Sequence, residues 1–505
     1  MHVRNSMTRM AAITGICLFL QWPALMAQRL APKKASPEEI AELKKKVMAS
    51  PDSISYHEEY IKAVTLKDPG LIPQYEAWSK EYPGKYSIPF AIATALYEAE
   101  LPEATPWLKK SVELNPKLAE AYQMLSIDAD RWGDAKAARD YMGKASETEP
   151  SNPSYAFYYA MDFEHDDPAL WRKKLYELAK KFPAHERGAQ GLYWLATRST
   201  DNAEKVRVYE MLIKQYNPSK FNWSGSGASG LYEFYLAKDP AKAAALAKRM
   251  GKERDWPSKD TVAQQFVQLK KLVAARKFSK AKTVAGKIRL GRYSSAGDQL
   301  LLLKSAIIEG QGNTKDAYDS LLIPYAKKPS DELYAGLNKL GNKLGITTAQ
   351  TDAAIDEWRK ANSKPAPAFN LGLYTSDKTV SLDDYKGKVV LLTFWFPGCG
   401  PCRGEFPHFE KVLKKFEGKE IAYIAINGIP EQDEYVLPFV KGTKYTFTPL
   451  RTKEGWAEEA YKVRGYPSNF LIDQEGKIVF SNFMIHDEPN ERMLELMISA
   501  LLARS

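Results

Sequence analysis

Two cysteines, Cys399 and Cys402, are the residues in this chain whose type and spacing most directly indicate chemistry. They follow an apolar run and precede a helical pattern, so we expect them at a strand-to-helix junction. Residues three apart on a helix share a face, which lets the two sulfurs bond with little movement of the backbone. At the helix N-terminus, Cys399 faces unpaired N–H groups and the positive end of the helix dipole, and both favour the thiolate. Because the thiolate is the attacking species, Cys399 should attack a substrate disulfide and Cys402 should resolve the mixed disulfide.

The alternative to a redox role is that the two cysteines supply half of the ligands of a structural zinc site. Such a site needs four ligands. The chain has three cysteines, and the third, Cys17, lies in the apolar N-terminal segment. The C-terminal part has two histidines, His408 and His486, and their spacing matches no zinc pattern. A secreted protein held together by structural disulfides would have several cysteines at varied spacings. The sequence therefore predicts a redox pair, with no metal and no cofactor.

The elements that must position the cysteines follow a change of composition near residue 364. Apolar runs predict strands at 389–396, 420–427, 468–472 and 477–480, the last two joined by a hairpin turn at 473–476. Helical periodicity predicts helices at 401–416, 455–461 and 490–502. The predicted order is therefore strand, helix, strand, helix, hairpin and helix.

This order and five short motifs resemble one family. The motifs lie at 366–369, 381–388, 399–402 (Cys-Gly-Pro-Cys), 405–407 and 465–473. Together they resemble the TlpA/ResA-like thioredoxin-family thiol–disulfide oxidoreductases, which are extracytoplasmic. The resemblance covers residues 365–505 and implies an α/β thioredoxin-like fold and an enzyme that exchanges disulfides with protein clients.

The resemblance implies roles for further residues. Pro467 would form a cis peptide bond beside the disulfide, since only X–Pro bonds take the cis form readily. That bond would present the backbone of Tyr466 to an extended substrate. Glu405 matches the family's acidic residue and would move a proton to or from Cys402. The alternative for Glu405 is a first-turn carboxylate that the helix dipole favours.

The predicted substrate-binding surface comprises Trp395, Gly400, Pro401 and Tyr466. Pro401 also suits the first helical turn, where its missing N–H is not needed. Trp395 matches an aromatic residue that the family has beneath the site, and the alternative is plain packing in the core.

Two positions depart from thioredoxin itself. Thioredoxin has a buried Asp six residues before its first cysteine, where this chain has Thr393. It also has Trp directly before that cysteine, where this chain has Gly398. We expect the first change to shift proton transfer to Glu405 or water, and the second to leave the Cys399 sulfur more open.

The region before residue 346 is predicted to be all helical. Similar phrases end in proline at positions 83, 116, 150, 183 and 218, at intervals of 33, 34, 33 and 35 residues. A period near 34 residues is typical of paired-helix repeats, and the pattern of small and apolar residues resembles the tetratricopeptide repeat. Residues 28–345 are thus predicted to form an all-α solenoid of about seven helix pairs, with a helix and linker at 346–364 before the domain at 365–505.

Residues 225–230 fit the pattern Gly-x-Gly-x-x-Gly, which also occurs in dinucleotide-binding proteins. That fingerprint needs a preceding strand and a βαβ unit, and the neighbourhood here is helical. We interpret the segment as a flexible loop between repeats.

The N-terminus has the pattern of a secretory signal. Basic residues are followed by an apolar run at 10–20 and by small residues, which predicts a signal peptide at 1–27 with cleavage after Ala27. An uncleaved anchor is the alternative, although the run is shorter than the ~20 residues that span a bilayer. We expect an exported, periplasmic bacterial protein that is soluble after cleavage.

The distribution of charge argues against one class of partner. The net charge is +10, but the basic residues are scattered among acidic ones, which argues against nucleic-acid binding. The leading hypothesis is an exported thiol–disulfide oxidoreductase whose repeats recruit a protein client or hold the redox domain in place. Its reduction potential would decide whether it acts as a reductase, an isomerase or an oxidase, and a reductase is the favoured direction. The family also implies a membrane-associated electron donor. The alternatives are a peroxidase of the same fold, although Phe396 stands where peroxiredoxins have Thr, and a repeat-based scaffold with an accessory redox domain.

Overall fold

The computed structural model describes residues 35–291 and 294–504. Nineteen helices occupy these residues up to position 362, and we call them the helical region. The predicted signal peptide at 1–27 lies outside the described residues. The helices are α1 (Pro37–Ala49), α2 (Ile54–Val64), α3 (Leu71–Glu81), α4 (Ser87–Glu98), α5 (Ala104–Leu114), α6 (Ala119–Arg131), α7 (Ala135–Thr148), α8 (Pro153–Met161), α9 (Pro168–Lys181), α10 (Glu186–Arg198), α11 (Asn202–Gln215), α12 (Asn222–Lys238), α13 (Pro240–Met250), α14 (Trp256–Ala274), α15 (Phe278–Lys287), α16 (Gly297–Gly310), α17 (Thr314–Lys327), α18 (Asp331–Lys343) and α19 (Thr348–Asn362). None of the described helices combines the length and the apolar character that crossing a bilayer requires.

The repeating prolines mark the ends of alternate helices. Helices α3, α5, α7, α9 and α11 each end two or three residues before one of these prolines. Proline cannot continue a helix, because it lacks an N–H and its ring clashes with the preceding turn. The alanines of the repeat pattern lie between paired helices: Ala138, Ala145 and Ala317 are each at most 1% exposed.

The number of helices differs from the prediction. Eighteen described helices, α1 to α18, lie within the predicted range 28–345, which is more than the about fourteen helices of seven pairs. The part between residues 184 and 300, where the sequence repeat is degenerate, contains helices α10 to α15. Apolar packing between neighbouring helices maintains the architecture there, although the repeat motif is lost.

The prediction of a loop at residues 225–230 was wrong, because these residues lie inside α12. The glycines allow α12 to approach its neighbours closely. A Cβ on Gly227 would lie 2.4 Å from Leu212 Cδ2, and one on Gly230 would lie 2.7 Å from the Tyr209 hydroxyl. The pattern therefore reflects helix packing.

The C-terminal domain, residues 364–504, is built on one eight-stranded sheet. Its strands are β1 (Lys364–Pro365), β2 (Asn370–Leu373), β3 (Thr379–Ser381), β4 (Val389–Trp395), β5 (Ile421–Asn427), β6 (Thr448–Arg451), β7 (Ser468–Ile472) and β8 (Lys477–Ser481). Its helices are α20 (Gly400–Leu413), α21 (Asp433–Thr443), α22 (Trp456–Tyr461) and α23 (Glu488–Leu502). The strand order is β1-β8-β7-β4-β5-β6-β2-β3, with β4, β5 and β6 parallel and β7 antiparallel to β4. The segment 346–364, predicted as a helix and linker, thus ends in an edge strand, since Lys364 pairs with Ile478.

Strand β4 lies at the centre of this sheet, and all seven of its residues are buried. Side chains alternate between the two faces of a strand, so β4 supplies two cores. Val389, Leu391 and Trp395 contribute to one apolar cluster, and Val390 and Leu392 contribute to the other. The continuous apolar run in the sequence is explained by this burial on both faces.

The contacts of the helical region with the C-terminal domain include those of α6, of α18 and of α19, where Asp356 binds Arg504. The end of α6 packs on α21, and two glycines allow the backbones to approach. A Cβ on Gly133 would lie 2.7 Å from Phe439 Cα, and one on Gly442 would lie 2.4 Å from the Gly133 carbonyl oxygen. Arg492 of α23 donates two hydrogen bonds of 2.8 Å to Asp331 of α18.

Candidate active site

The two cysteines form a disulfide at the junction of β4 and α20. Their Cα atoms are 5.3 Å apart. Cys399 is the N-cap residue of α20, and its sulfur accepts a hydrogen bond of 3.2 Å from the Cys402 N–H. Cys399 is 5% exposed and Cys402 is fully buried. In the reduced protein, the same N–H and the positive end of the helix would stabilise a thiolate at Cys399.

The residues between the cysteines are on the surface. Gly400 and Pro401 are exposed and form the first turn of α20. The turn is held by Arg403, whose Nη1 donates a hydrogen bond of 2.8 Å to the Pro397 carbonyl. The contact of Gly400 and Pro401 with a substrate stays a prediction.

The loop before β7 contacts the segment that leads to Cys399. The Tyr466–Pro467 peptide bond is cis, and both residues are half-buried. The Tyr466 ring packs edge-on against Phe396, with ring centroids 5.4 Å apart, and its hydroxyl donates a hydrogen bond of 3.3 Å to Glu458. This aromatic contact connects the loop to the segment that carries Cys399.

Glu405 is a buried carboxylate one helical turn beyond Cys402. Its Oε1 accepts a hydrogen bond of 2.6 Å from the Ile485 N–H, and its Oε2 accepts one of 2.8 Å from Asn469 Nδ2. Burial raises the pKa of Glu405 to about 7, although both hydrogen bonds favour the carboxylate and lower the pKa. A group with this pKa can both release and accept a proton near neutral pH.

The position of Glu405 is related to the departure at Thr393. Thr393 lies opposite Asn469 in the register of β4 and β7, and Asn469 is the residue that binds Glu405. Thr393 is fully buried, and its hydroxyl has no hydrogen-bond partner among the described residues. The predicted shift of proton transfer from this position to Glu405 or water stays a prediction.

Trp395 lies in the core beneath the dithiol and is fully buried. Its ring packs against Phe406 and Phe439, with centroid distances of 5.1 Å to each. This is the placement expected for either interpretation of Trp395, and its contact with a substrate stays a prediction.

The space beside Gly398 is occupied, and the effect of Gly398 on access to the Cys399 sulfur stays a prediction. Two side chains, Glu100 and Gln432, fill the space beside Gly398. A Cβ on Gly398 would lie 2.4 Å from Glu100 Oε2 and 3.0 Å from Gln432 Oε1. Glu100 belongs to the helical region, so a side chain that thioredoxin has in this place is replaced by residues from elsewhere in the chain.

Within the described residues, no group of three or more His, Cys, Asp or Glu side chains is arranged to hold a metal ion. His408 is instead bonded to Glu491, with Nδ1 and Oε1 2.6 Å apart. His486 Nδ1 lies 4.0 Å from Glu405 Oε1 at the edge of the site.

Comparison with known proteins decides the family. The profile of the AhpC/TSA family matches residues 363–481. The thioredoxin-like protein YneN of Bacillus subtilis (strain 168) is 37% identical over 140 residues, which are 27% of this chain and 78% of that protein. The thiol–disulfide oxidoreductase ResA of the same organism is 34% identical over 122 residues, which are 23% of this chain and 68% of ResA. The chain belongs to the thioredoxin-like thiol–disulfide oxidoreductases.

Among solved structures, the thioredoxin domain of a thiol–disulfide oxidoreductase from Bacteroides vulgatus is similar to this chain, with 28% identity and a TM-score of 0.25. The match covers 27% of this chain and 96% of that one. The predicted family and the predicted fold class, an all-α repeat region followed by an α/β thioredoxin-like fold, are confirmed.

Sequence reasoning missed three residues at the site of the oxidoreductase. Asn469 could have been found, since a polar residue within the apolar run at 468–472 indicates a buried hydrogen-bonding role. Gln432 and Glu100 had no comparable sequence pattern, because their importance depends on which distant segments meet.

Proposed function

We propose that this oxidoreductase reduces disulfides in protein clients outside the cytoplasm, with Cys399 attacking and Cys402 resolving. The position of Cys399 at the N-cap of α20, with the Cys402 N–H directed at its sulfur, is the observation that carries the proposal. The burial of Cys402 supports the division of roles, because a buried sulfur meets the neighbouring cysteine more readily than a client.

The reaction transfers two electrons from the dithiol to the client. The Cys399 thiolate attacks one sulfur of the client disulfide, and the other client sulfur leaves as a thiolate and takes up a proton. Cys402 then loses its proton and attacks the Cys399 sulfur. The second client thiol is released, and the Cys399–Cys402 disulfide forms. A dithiol donor must reduce that disulfide before the next cycle.

Glu405 is the proposed acceptor of the Cys402 proton. It follows Cys402 by three residues on α20, so the two side chains share a face of the helix. Its pKa of about 7 places both protonation states within reach of neutral pH. Asn469 and the Ile485 N–H hold the carboxylate in place, which favours a directed proton transfer.

The proposed client surface comprises the exposed Gly400 and Pro401 and the loop of Tyr466 and Pro467. An extended client segment would lie between them, with its disulfide against Cys399. The fully buried Trp395 would support this surface from below through its packing on Phe406.

We further propose that the helical region binds a client or a partner. A cleft of about 910 Å³ lies among residues 207–256 of this region and supports the proposal. Its lining includes the cations Arg207, Lys214 and Arg254 and the acids Glu210 and Glu253. A surface of mixed charge suits a polar protein segment better than a purely apolar ligand.

The proposed location follows from the N-terminal sequence. A signal at 1–27 would direct export to a periplasm, and a membrane-associated donor would supply electrons to the dithiol. N-terminal sequencing of the protein from a periplasmic fraction tests this, with residue 28 expected as the first residue. A protein that begins at Met1 and stays in the cytoplasm would contradict it.

Insulin-disulfide reduction tests the chemistry. The wild-type chain should reduce insulin with a dithiol donor, and Cys399→Ser should abolish the activity. Cys402→Ser is the matched variant, because it also removes one sulfur but should accumulate mixed disulfides with clients through Cys399. Activity that survives in Cys399→Ser would overturn the proposal.

A peroxidase is the competing function, and one residue argues against it. Phe396 stands three residues before Cys399, so the side chain at this position has no hydroxyl to hold a peroxide, and its ring packs on Tyr466. Peroxide consumption that depends on Cys399 and exceeds insulin reduction would favour the peroxidase.

A further inference from the structure

A chain of two hydrogen bonds connects the helical region to the backbone beside the attacking cysteine. The Gly398 N–H donates to Gln432 Oε1, and Gln432 Nε2 donates to Glu100 Oε2, each at 2.7 Å. Gln432 is 3% exposed, so water competes little for these bonds. Glu100 lies between α4 and α5, and Gly398 directly precedes Cys399.

Glu100 has further contacts within the helical region. Its backbone adopts φ +57°, in the left-handed region that few residues other than glycine occupy. Its Oε1 accepts a hydrogen bond of 3.3 Å from Arg131, whose guanidinium lies 4.9 Å from the centre of the Tyr97 ring. The carboxylate thus contacts both Gln432 and Arg131, and 36% of the Glu100 side chain is exposed.

We propose that Glu100 is a positioning residue of the dithiol site, which holds the Gly398 backbone through Gln432 and places a negative charge beside Cys399. The inference rests on the proposed role of Cys399 as the attacking thiol. The helical region would then be part of the redox site as well as a binding surface.

The sign of the effect follows from electrostatics. A carboxylate beside a thiolate disfavours the thiolate, so Glu100 should raise the pKa of the Cys399 thiol and destabilise the reduced protein. A less stable dithiol gives a more negative reduction potential, which suits a reductase. Other charged groups interact here as well: Arg403 of α20 interacts with Asp130 and Arg131 of α6 and with Glu100, and Asp128 of α6 interacts with Arg131.

Replacing Glu100 also leaves the Arg131 guanidinium without its carboxylate partner. The unpaired positive charge favours the thiolate, so it too lowers the pKa of the Cys399 thiol. Glu100→Gln keeps an oxygen that can accept from Gln432 but removes the charge. The matched control is Glu98→Gln, because Glu98 is exposed, lies two residues earlier, and makes none of these contacts.

The experiment measures the pH dependence of iodoacetamide labelling at Cys399 in the reduced full chain, with the labelled peptide followed by mass spectrometry. Glu100→Gln should lower the thiol pKa by roughly 0.5 to 1, which at pH 6 speeds labelling about threefold to tenfold. Equilibration with glutathione should show a less negative reduction potential. Glu98→Gln should match the wild type in both measurements.

Gln432→Leu tests the hydrogen-bond half of the inference. This variant keeps the charge of Glu100 but removes the acceptor of the Gly398 N–H. One lost hydrogen bond costs about 1 kcal/mol, so kcat/KM for insulin reduction should fall about threefold to tenfold. Thermal unfolding of each variant separates this effect from loss of folding.

The outcomes distinguish this inference from the proposed function. If the wild type reduces insulin, Cys399→Ser does not, and Glu100→Gln has the same thiol pKa and potential as Glu98→Gln, the inference is overturned and the proposed function stands. If Cys399→Ser remains active, the proposed function itself fails.

Discussion

Tyr435 of α21 donates a hydrogen bond of 2.6 Å to Asp128 Oδ1 of α6, and this bond crosses from the C-terminal domain to the helical region. Tyr435 is fully buried and Asp128 is 1% exposed. Trp132 contributes to the same contact, because its ring centroid lies 4.5 Å from that of Tyr435 and its Nε1 donates to Asp128 at 3.2 Å. Burial raises the pKa of Asp128, and the hydrogen bonds from Thr105 and Tyr435 lower it.

Tyr435→Phe should therefore weaken the contact between the two regions. The substitution removes one partner of a buried carboxylate, so the free energy of unfolding should fall by about 1–3 kcal/mol. Urea unfolding followed by far-UV circular dichroism measures the change. Tyr423→Phe is the control, since the Tyr423 hydroxyl is buried without a partner among the described residues, and its removal should leave stability unchanged or raised. Equal losses in the two variants would contradict this account.

Gly133→Ala should disturb the same contact through the backbone. Gly133 has φ +76°, and a Cβ there would lie 2.7 Å from the Phe439 backbone, which cannot yield as a flexible side chain would. Gly345→Ala is the matched control, because Gly345 also follows a helix C-cap and has φ +73° with no atom within 4 Å of a Cβ. The control should lose about 1–2 kcal/mol from the left-handed conformation alone.

The additional loss in Gly133→Ala measures the collision between α6 and α21. We expect a further loss of at least ~1 kcal/mol, in the range for overpacked sites, and faster proteolysis between the two regions. Identical stability in the two alanine variants would show that α6 and α21 separate at little cost.

Glu405 should make the stability of the protein depend on pH. Its pKa is about 7 in the folded chain, raised by burial from a usual value of 4.5. Between these two values the folded state binds the proton more tightly than the unfolded chain does, so the free energy of unfolding falls as the pH rises. The slope is about 1.4 kcal/mol per pH unit, and the total is roughly 3 kcal/mol.

Glu405→Gln should remove this dependence. Urea unfolding of the oxidised protein measures the free energy of unfolding at pH 5 and at pH 8. From pH 5 to pH 8 this free energy should fall less in the variant than in the wild type. The difference between the two falls is the contribution of Glu405. The pH profile of insulin reduction should also lose the step near pH 7 that the titration of Glu405 produces in the wild type. Parallel stability curves for the two proteins would indicate that Glu405 titrates at its usual pKa.

Gly227→Ala should destabilise α12, although alanine is the better helix former. A Cβ at this position would lie 2.4 Å from Leu212 Cδ2, so α11 and α12 would have to move apart. We expect a loss of about 1–3 kcal/mol in the free energy of unfolding. Gly286→Ala in α15 is the control, because no atom lies within 4 Å of a Cβ there, and it should gain up to ~1 kcal/mol. A gain in both variants would mean that the two helices are not closely packed.

Much of the site could be predicted from short stretches of sequence. The spacing of Cys399 and Cys402, the preceding apolar run and the placement of Glu405 are local features, and local periodicity determines the strand and helix that position them. Helix α21 was not predicted, because Pro438 interrupts its pattern. Strand β6 was also missed, since it has only four residues and includes Pro449.

The sequence by itself determined the dithiol, the family resemblance and the helical repeats, because each depends on residues close together in the chain. Only the tertiary structure decided that Glu100 would lie beside Gly398 and that Tyr435 would bind Asp128. Gln432 and Glu100 are 332 positions apart, and Tyr435 and Asp128 are 307 apart. Such contacts depend on how the intervening helices are oriented in space. Each repeat is rotated slightly relative to the one before it, and local periodicity does not specify the sum of these rotations.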